Sequence, residues 1–224
     1  MLEILFQDEH LIAINKPHGL LVHRTKIARD VDEFAMQLLR DQIEQKVYPV
    51  HRLDRKTSGV LLFALSPEIN TVLQKQFMNK EVEKKYLAIV RGHTESKVTI
   101  DYPLTNEEGK TQEAITHFKT LQTTECNFPS GKFATSRYSL IEISPETGRF
   151  HQIRKHLAHL RHPIIGDRPH GCNKQNKIFL ERFQMNTMLL HAKELLVNHP
   201  VSHEVVQIKA TVSKEFKRMK SELF

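Results

Sequence analysis

Hydrophobic and polar residues alternate from the start of the chain. Leu2, Ile4 and Phe6 share one face, Asp8-Glu9-His10 supplies a turn, and the apolar run returns over residues 11–14. That pattern predicts a β-hairpin, ended by Pro17 and Gly19. Over residues 30–45 the spacing becomes helical, with Phe34, Leu38 and Gln42 on one stripe. Residues 59–65 form an apolar run that predicts a buried strand. Ser66-Pro67-Glu68 then reads as a helix start, with Ser as N-cap, Pro in the first turn and an acid near the positive helix end. Ile69, Val72, Leu73, Gln76 and Phe77 continue at helical spacing. Residues 84–91 alternate again, with Tyr86, Ala88 and Val90 on one face and Leu87 and Ile89 on the other. Further strands are predicted over 114–121, 137–143, 189–197 and 205–210. Helices are predicted over 149–160, stopped near Pro163, and over the basic segment 214–223. Residues 105–112 are polar without periodicity and read as a loop. Strands in hairpin-like runs with few helices between them predict an α+β fold, its central sheet mixed but mostly antiparallel and flanked by helices.

Length and composition change this picture little. The 224 residues suit one domain, taken as 1–224, with no repeat, low-complexity tract or linker. The apolar content of 39% supports a packed core, and no run reaches the ~18 apolar residues of a membrane span. Met1 to Asp8 lacks the basic start and long apolar run of a secretory signal. Cys126 and Cys172 are too few for a disulfide framework or a four-ligand zinc site, and suit a reducing cytosol. The expected location is therefore the cytoplasm, with no membrane contact. Charge is more informative. Thirty-three Lys and Arg against 26 Asp and Glu give a net +7 and a pI near 9.4. That balance favours a polyanionic partner such as nucleic acid.

Two segments could carry chemistry. The densest polar cluster, His51-Arg52-Leu53-Asp54-Arg55-Lys56-Thr57-Ser58-Gly59, immediately precedes the apolar strand. A loop feeding a buried strand is anchored at one end, which suits a functional carboxylate. Arg52 and Arg55 favour the ionised form of Asp54, which could act as a nucleophile or a base. A structural salt bridge in a turn remains the alternative reading. In the second segment, 147–156, Phe150, Ile153, Leu157 and Leu160 share one helix face, with Arg154 at its edge. An edge arginine can lead its guanidinium into a cleft or simply meet solvent. His151, His156, His159 and His162 raise a metal site, but there is no His-Glu-x-x-His pattern, and none is expected. His51-Arg52-Leu53-Asp54 departs from the kinase His-Arg-Asp loop by an extra Leu and has no Gly-rich phosphate loop before it, which excludes a kinase.

Taken together and in order, these segments resemble the RluA family of pseudouridine synthases. The 51–59 run is similar to that family's catalytic motif. Asn15-Lys16-Pro17-x-Gly19-Leu20-x-Val22-His23 resembles its N-terminal motif, Lys84-Lys85-Tyr86-Leu87-Ala88 its Tyr motif, and Thr147-Gly148-Arg149-x-His151-Gln152-Ile153-Arg154-x-His156 its Arg motif. His162-Pro163-Ile164-Ile165-Gly166-Asp167 and Leu190-His191-Ala192 complete the set, which runs from about residue 2 to residue 210. Within the family the chain is most similar to the tRNA pseudouridine(65) synthase branch, on Met1 to Leu5, Met36-Gln37 with Arg40 to Ile43, and His156 to Leu160 with His162-Pro163.

The resemblance implies an active-site cleft on the pseudouridine synthase fold, with no preceding S4 RNA-binding domain. It implies an isomerase acting on tRNA in the acceptor and T-stem region, the other readings being the same chemistry on 23S ribosomal RNA or a non-catalytic RNA binder. No metal or other cofactor is implied, and the protein is expected to be a monomer with RNA as its partner. Asp54 would be the catalytic carboxylate, Arg154 its ionising partner, and Tyr86 the ring that stacks on the target uracil and handles a late proton transfer. Arg52 would fill the gap left by a flipped uridine. Lys16, Lys56, Lys84, Lys85 and Arg149 are the candidate RNA contacts.

Overall fold

A computed structural model describes residues 1–23 and 33–224. The first residues of the expected 30–45 helix lie outside the described residues. The chain forms two compact units, Met1–Lys84 with Ala192–Val212, and Lys85–His191 with Ser213–Phe224. Among the described residues, five helices and a set of largely antiparallel strands give the expected α+β class.

In the first unit, β1 (Glu3–Gln7) and β2 (Leu11–Lys16) form the expected hairpin. Asp8 Oδ1 accepts from the N–H groups of His10 and Leu11, both at 2.7 Å, which fixes the reversal. α1 spans Ala35–Ile43, and β3 (Tyr48–Pro49) pairs with β4 (Ser58–Ala64). Every residue of β4 is buried, which explains its unbroken apolar run. β2 pairs antiparallel with β4, and Leu11, Ala13, Val60, Leu62 and Ala64 point into one core. α2 (Pro67–Met78) covers that core with Leu73, and Ser66 Oγ accepts from Ile69 N as expected of an N-cap. β11 (Leu190–Asn198) pairs with β12 (Val205–Lys209), which adds Leu195, Val197 and Ile208. At Gly59, with φ at +110°, an added Cβ would lie 2.1 Å from the Ala192 carbonyl oxygen, so only glycine fits there.

Two helix faces differ from the expected stripes. α1 buries Ala35 and Leu39, not Leu38, and Phe34 is not helical. Phe34 is extended, bridges to Leu21 and is buried there, so the helix starts at Ala35. Gln42 instead brackets the backbone of Leu2, accepting from its N–H and donating to its carbonyl. In α2, Val72 is 41% exposed while Gln76 is buried. The Gln76 amide clamps both backbone groups of Asn198, so a polar residue takes the inward position.

The second unit contains β5 (Glu83–Arg91) from Lys85 onward, β6 (Lys97–Asp101), β9 (Ile115–Cys126) and β10 (Ser136–Pro145), in the order β5-β10-β9-β6. The segment expected as a loop is the tip of a small hairpin, β7 (Leu104–Thr105) with β8 (Thr111–Gln112), folded by Asn106 Oδ1 accepting from Glu108 and Lys110. Ala88, Val90, Phe118, Ile141 and Ile143 meet Ile153 and Leu157 of α3 (Gln152–His159) to form the core. α5 (Lys214–Leu223) is placed as expected, capped by Ser213 and buried through Phe216, Met219 and Leu223. β6 and α4 (Asn173–Phe183) were not legible in the pattern. α4 buries only Gln175 and Phe179, a stripe too thin to read as amphipathic.

Candidate active site

Asp54 sits in a tight turn just before β4. Leu53 is buried and anchors the loop, and Thr57 N–H donates to the Asp54 carbonyl at 3.0 Å. A second loop, leaving β2, is pinned against this turn. Gly19 N–H donates to the Arg55 carbonyl at 2.8 Å, and Arg55 Nε donates back to the Gly19 carbonyl at 3.0 Å. Lys16 closes the joint from inside, with Nζ donating to the carbonyls of Pro17, Leu20 and Arg55 at 3.0, 2.7 and 3.2 Å. The sequence run expected to supply the catalytic carboxylate is therefore held by a reciprocal Gly19–Arg55 lock and a buried ammonium.

Lys16 was expected to meet RNA phosphate, and the structure gives it a different place. Its side chain is fully buried and occupied by the three carbonyls, so it braces the turn instead of facing solvent. Burial pulls its pKa down to about 7, and the negative charge of Asp54 acts in the opposite direction. Neighbouring His18 is held neutral, its pKa lowered to about 4 by burial and then by Lys16, Lys56 and Arg55. A half-buried carboxylate thus lies in a cationic setting, as the arginine-rich run suggested.

His51, at the head of the same motif, is a structural residue. Its Nε2 accepts the Leu62 N–H at 3.1 Å, and its ring stacks on Phe77 with centroids 5.0 Å apart. Burial, followed by the charge of Lys84, lowers its pKa to about 4. The folded value lies below the unfolded one, so between about 4 and 6.5 the unfolded chain binds a proton that the folded chain refuses. Stability is full above pH 6.5 and is lost as the pH falls toward 4, by about 3 kcal/mol for this one group. His51→Gln keeps an acceptor for Leu62 and removes the titration. Urea unfolding should find the variant less stable than wild type at pH 7, with the gap closing at pH 4.5; a gap of constant size would refute the assignment.

Among the remaining sequence-chosen residues, Arg52 is exposed on the turn and Lys56 is half-buried beside it. Lys84 and Lys85 are half-buried on β5, and burial lowers the pKa of Lys84. Tyr86 is half-buried at the margin of the second core, opposite Ile143 of β10. Arg149 is half-buried, with Nε donating to the Glu113 carbonyl.

The Arg motif is folded differently from the simple helix expected over 149–160. His151 has φ at +56°, in the left-handed region, and the helix begins only at Gln152. Gln152 organises the entry. Its Oε1 accepts from Thr147 Oγ1 and Arg149 N, and its Nε2 donates to the Ile115 carbonyl and to Thr116 Oγ1. Thr116 Oγ1 lies 3.0 Å from His156 Nδ1, and His156 Nε2 donates to the Tyr102 carbonyl. Burial lowers the His156 pKa, which fits this neutral ring. The left-handed step also turns Phe150 out of the expected buried face, leaving it 44% exposed. Among the described residues no three His, Cys, Asp or Glu converge as a metal site.

Arg154 is buried, not solvated. Its Nε and Nη2 donate to Asp167 Oδ2 and Oδ1, both at 2.8 Å, with side chains only 5% and 1% exposed. Asp167 is in turn fixed by the segment around it, since Asn176 bridges the Asp167 carbonyl and the Gly166 N–H. The sequence reading noted Asp167 only as part of a motif and missed this pairing. No spacing rule joins an arginine to an acid beyond Pro163.

A clamped acidic turn, a stretch of buried polar braces and a cationic surface suit an enzyme of RNA. Residues 10–159 match the family model described as RNA pseudouridylate synthase. The chain belongs to that family. It is 47% identical to tRNA pseudouridine synthase C of Vibrio cholerae over 99% of its length and 96% of the relative's. It is 44% identical to the protein of the same name from Haemophilus influenzae, over 98% and 96%. Among solved structures, human RNA Pseudouridylate Synthase Domain Containing 1 superposes with a TM-score of 0.75 at 25% identity, covering 95% of this chain and 84% of that one. Human RNA Pseudouridylate Synthase Domain Containing 4 gives 0.74 at 25%, covering 99% and 94%. No helix among the described residues is long and apolar enough to cross a membrane.

Proposed function

We propose that this protein converts one uridine of tRNA to pseudouridine, at position 65, with Asp54 as the catalytic carboxylate. The likeness that carries the reading is the 47% identity, over nearly the whole of both chains, to a tRNA pseudouridine synthase C. The reaction breaks the N1–C1′ bond of uridine, turns the uracil, and joins its C5 to C1′. A proton leaves C5 and one is gained at N1, so atoms and electrons balance without an oxidant or reductant. One carboxylate suffices, by attacking the base or sugar or by taking a C2′ proton.

In this reading the lock around Lys16, Gly19 and Arg55 holds the Asp54 turn ready before RNA arrives. Such preorganisation avoids reordering the loop during reaction. Tyr86 offers a ring to stack on uracil and a phenol to move a proton. Arg154, the residue that the family resemblance assigns to the carboxylate, has its own orientation set by Asp167. Arg52, exposed on the turn, fills the space of the flipped nucleotide. Chemical mapping of pseudouridine on an unmodified tRNA transcript tests this directly. A stop at position 65, lost when that uridine is replaced by cytidine, is the expected result. A stop elsewhere would overturn the assigned position.

A further inference from the structure

From Gly148 to Gly166 the chain carries four Arg and Lys residues and no Asp or Glu. One of them, Arg154, is turned inward to Asp167. Along the same stretch two aromatic–imidazole stacks reach solvent. Phe150 lies on His151 with ring centroids 3.8 Å apart and planes 22° off parallel. Tyr102 lies on His159 at 3.9 Å and 21°. Phe150 and Tyr102 remain 44% and 43% exposed. Lys155 stands between the two stacks, one helical turn before His159. Its Nζ is 5.6 Å from the Phe150 ring and 3.4 Å from the Thr105 carbonyl.

Neither Phe150 nor Tyr102 belongs to the second core. α3 reaches its core through Ile153 and Leu157, on its other side. The backbone at Tyr102 is held without the ring, since its N–H donates to the Ala114 carbonyl and its carbonyl accepts from His156. Partly exposed rings beside a helix rich in Lys, Arg and His suit a partner with flat π faces and a negative backbone. Unpaired nucleotides have both.

We propose that Phe150, Lys155, His159 and Tyr102 form a contact surface for an unpaired stretch of the RNA substrate, with the rings stacking on bases and Lys155 meeting phosphate. The proposal rests on the reading of tRNA as substrate and adds which residues grip it. From His151 to His159 the chain advances about 12 Å at the α-helical rise, so the stripe spans roughly two or three nucleotides.

The test is the dissociation constant for an unmodified tRNA transcript, measured by fluorescence anisotropy across a range of KCl in an Asp54→Asn background. Phe150→Leu and Tyr102→Leu should each weaken binding about tenfold without changing the slope of log Kd against log salt. Phe150→Trp and Tyr102→Phe keep a ring and should bind within about twofold of the parent. Lys155→Gln should lower the salt slope by about one. Leucine variants that bind as tightly as the parent would overturn the proposal. So would ring-retaining variants that lose as much as the leucine ones, because the losses would then reflect disturbed packing. Tritium release by the wild-type protein from the same tRNA, run alongside, reports on the proposed function separately.

Discussion

Asp54→Asn is expected to lower turnover by about a thousandfold or more while the protein stays folded and still binds RNA. The substitution is nearly isosteric and removes only the charge and the capacity to take a proton or form a covalent bond. Several bonds that hold the turn run through groups other than the carboxylate. Thr57 N–H donates to the Asp54 carbonyl, Gly19 and Arg55 lock through their own groups, and Leu53 stays buried. Single-turnover assays and an RNA-binding titration on the same preparation check both halves. Residual turnover within about tenfold of wild type would hand the chemistry to another group. Loss of RNA binding in step with turnover would make Asp54 a recognition residue.

Asp167→Ala is expected to be the most damaging single change to stability, by about 3–5 kcal/mol in urea or thermal unfolding. It leaves a buried guanidinium with two of its donors deprived of their acceptors. Removing both charges together, as Arg154→Met with Asp167→Leu, should recover much of that loss, because desolvation of the pair then disappears with its attraction. A double variant as unstable as Asp167→Ala would show that the pair is not the source of the effect. The same geometry bears on activity measurements. Arg154→Ala strands the buried Asp167 carboxylate, so its loss of turnover would mix any role of Arg154 in the reaction with a loosened fold. Comparing it with Asp167→Asn at a temperature where both are folded separates the two.

The turn at Asp54 and the buried strand after it were legible because their pattern is written locally. Charged residues, a small-residue turn and a fully apolar strand follow one another within a few positions. What the pattern could not give were partners brought from elsewhere in the chain. Lys16 looked like one more surface cation, yet the loop leaving β2 wraps three carbonyls around its ammonium. Arg154 was placed at a helix edge by a wheel that started the helix at residue 149. The left-handed backbone at His151 delays the start to Gln152, which turns Phe150 outward, while Asp167 draws Arg154 inward. Positive φ at a histidine has no signature in hydrophobic periodicity. Phe34 shows the same limit on a smaller scale, since its bridge to Leu21 outweighs its place on a helical stripe. The hairpins, the capped helix at Ser66 and the basic helix at the C-terminus were legible because each carries its own turn or cap residues.

The central claim is that this chain isomerises uridine in tRNA. Tritium release from 5-tritiated uridine, measured separately on unmodified bulk tRNA and on ribosomal RNA, tests it most directly. The account predicts release from tRNA and none from ribosomal RNA. Release from ribosomal RNA alone would contradict the substrate, and release from neither would contradict the activity itself.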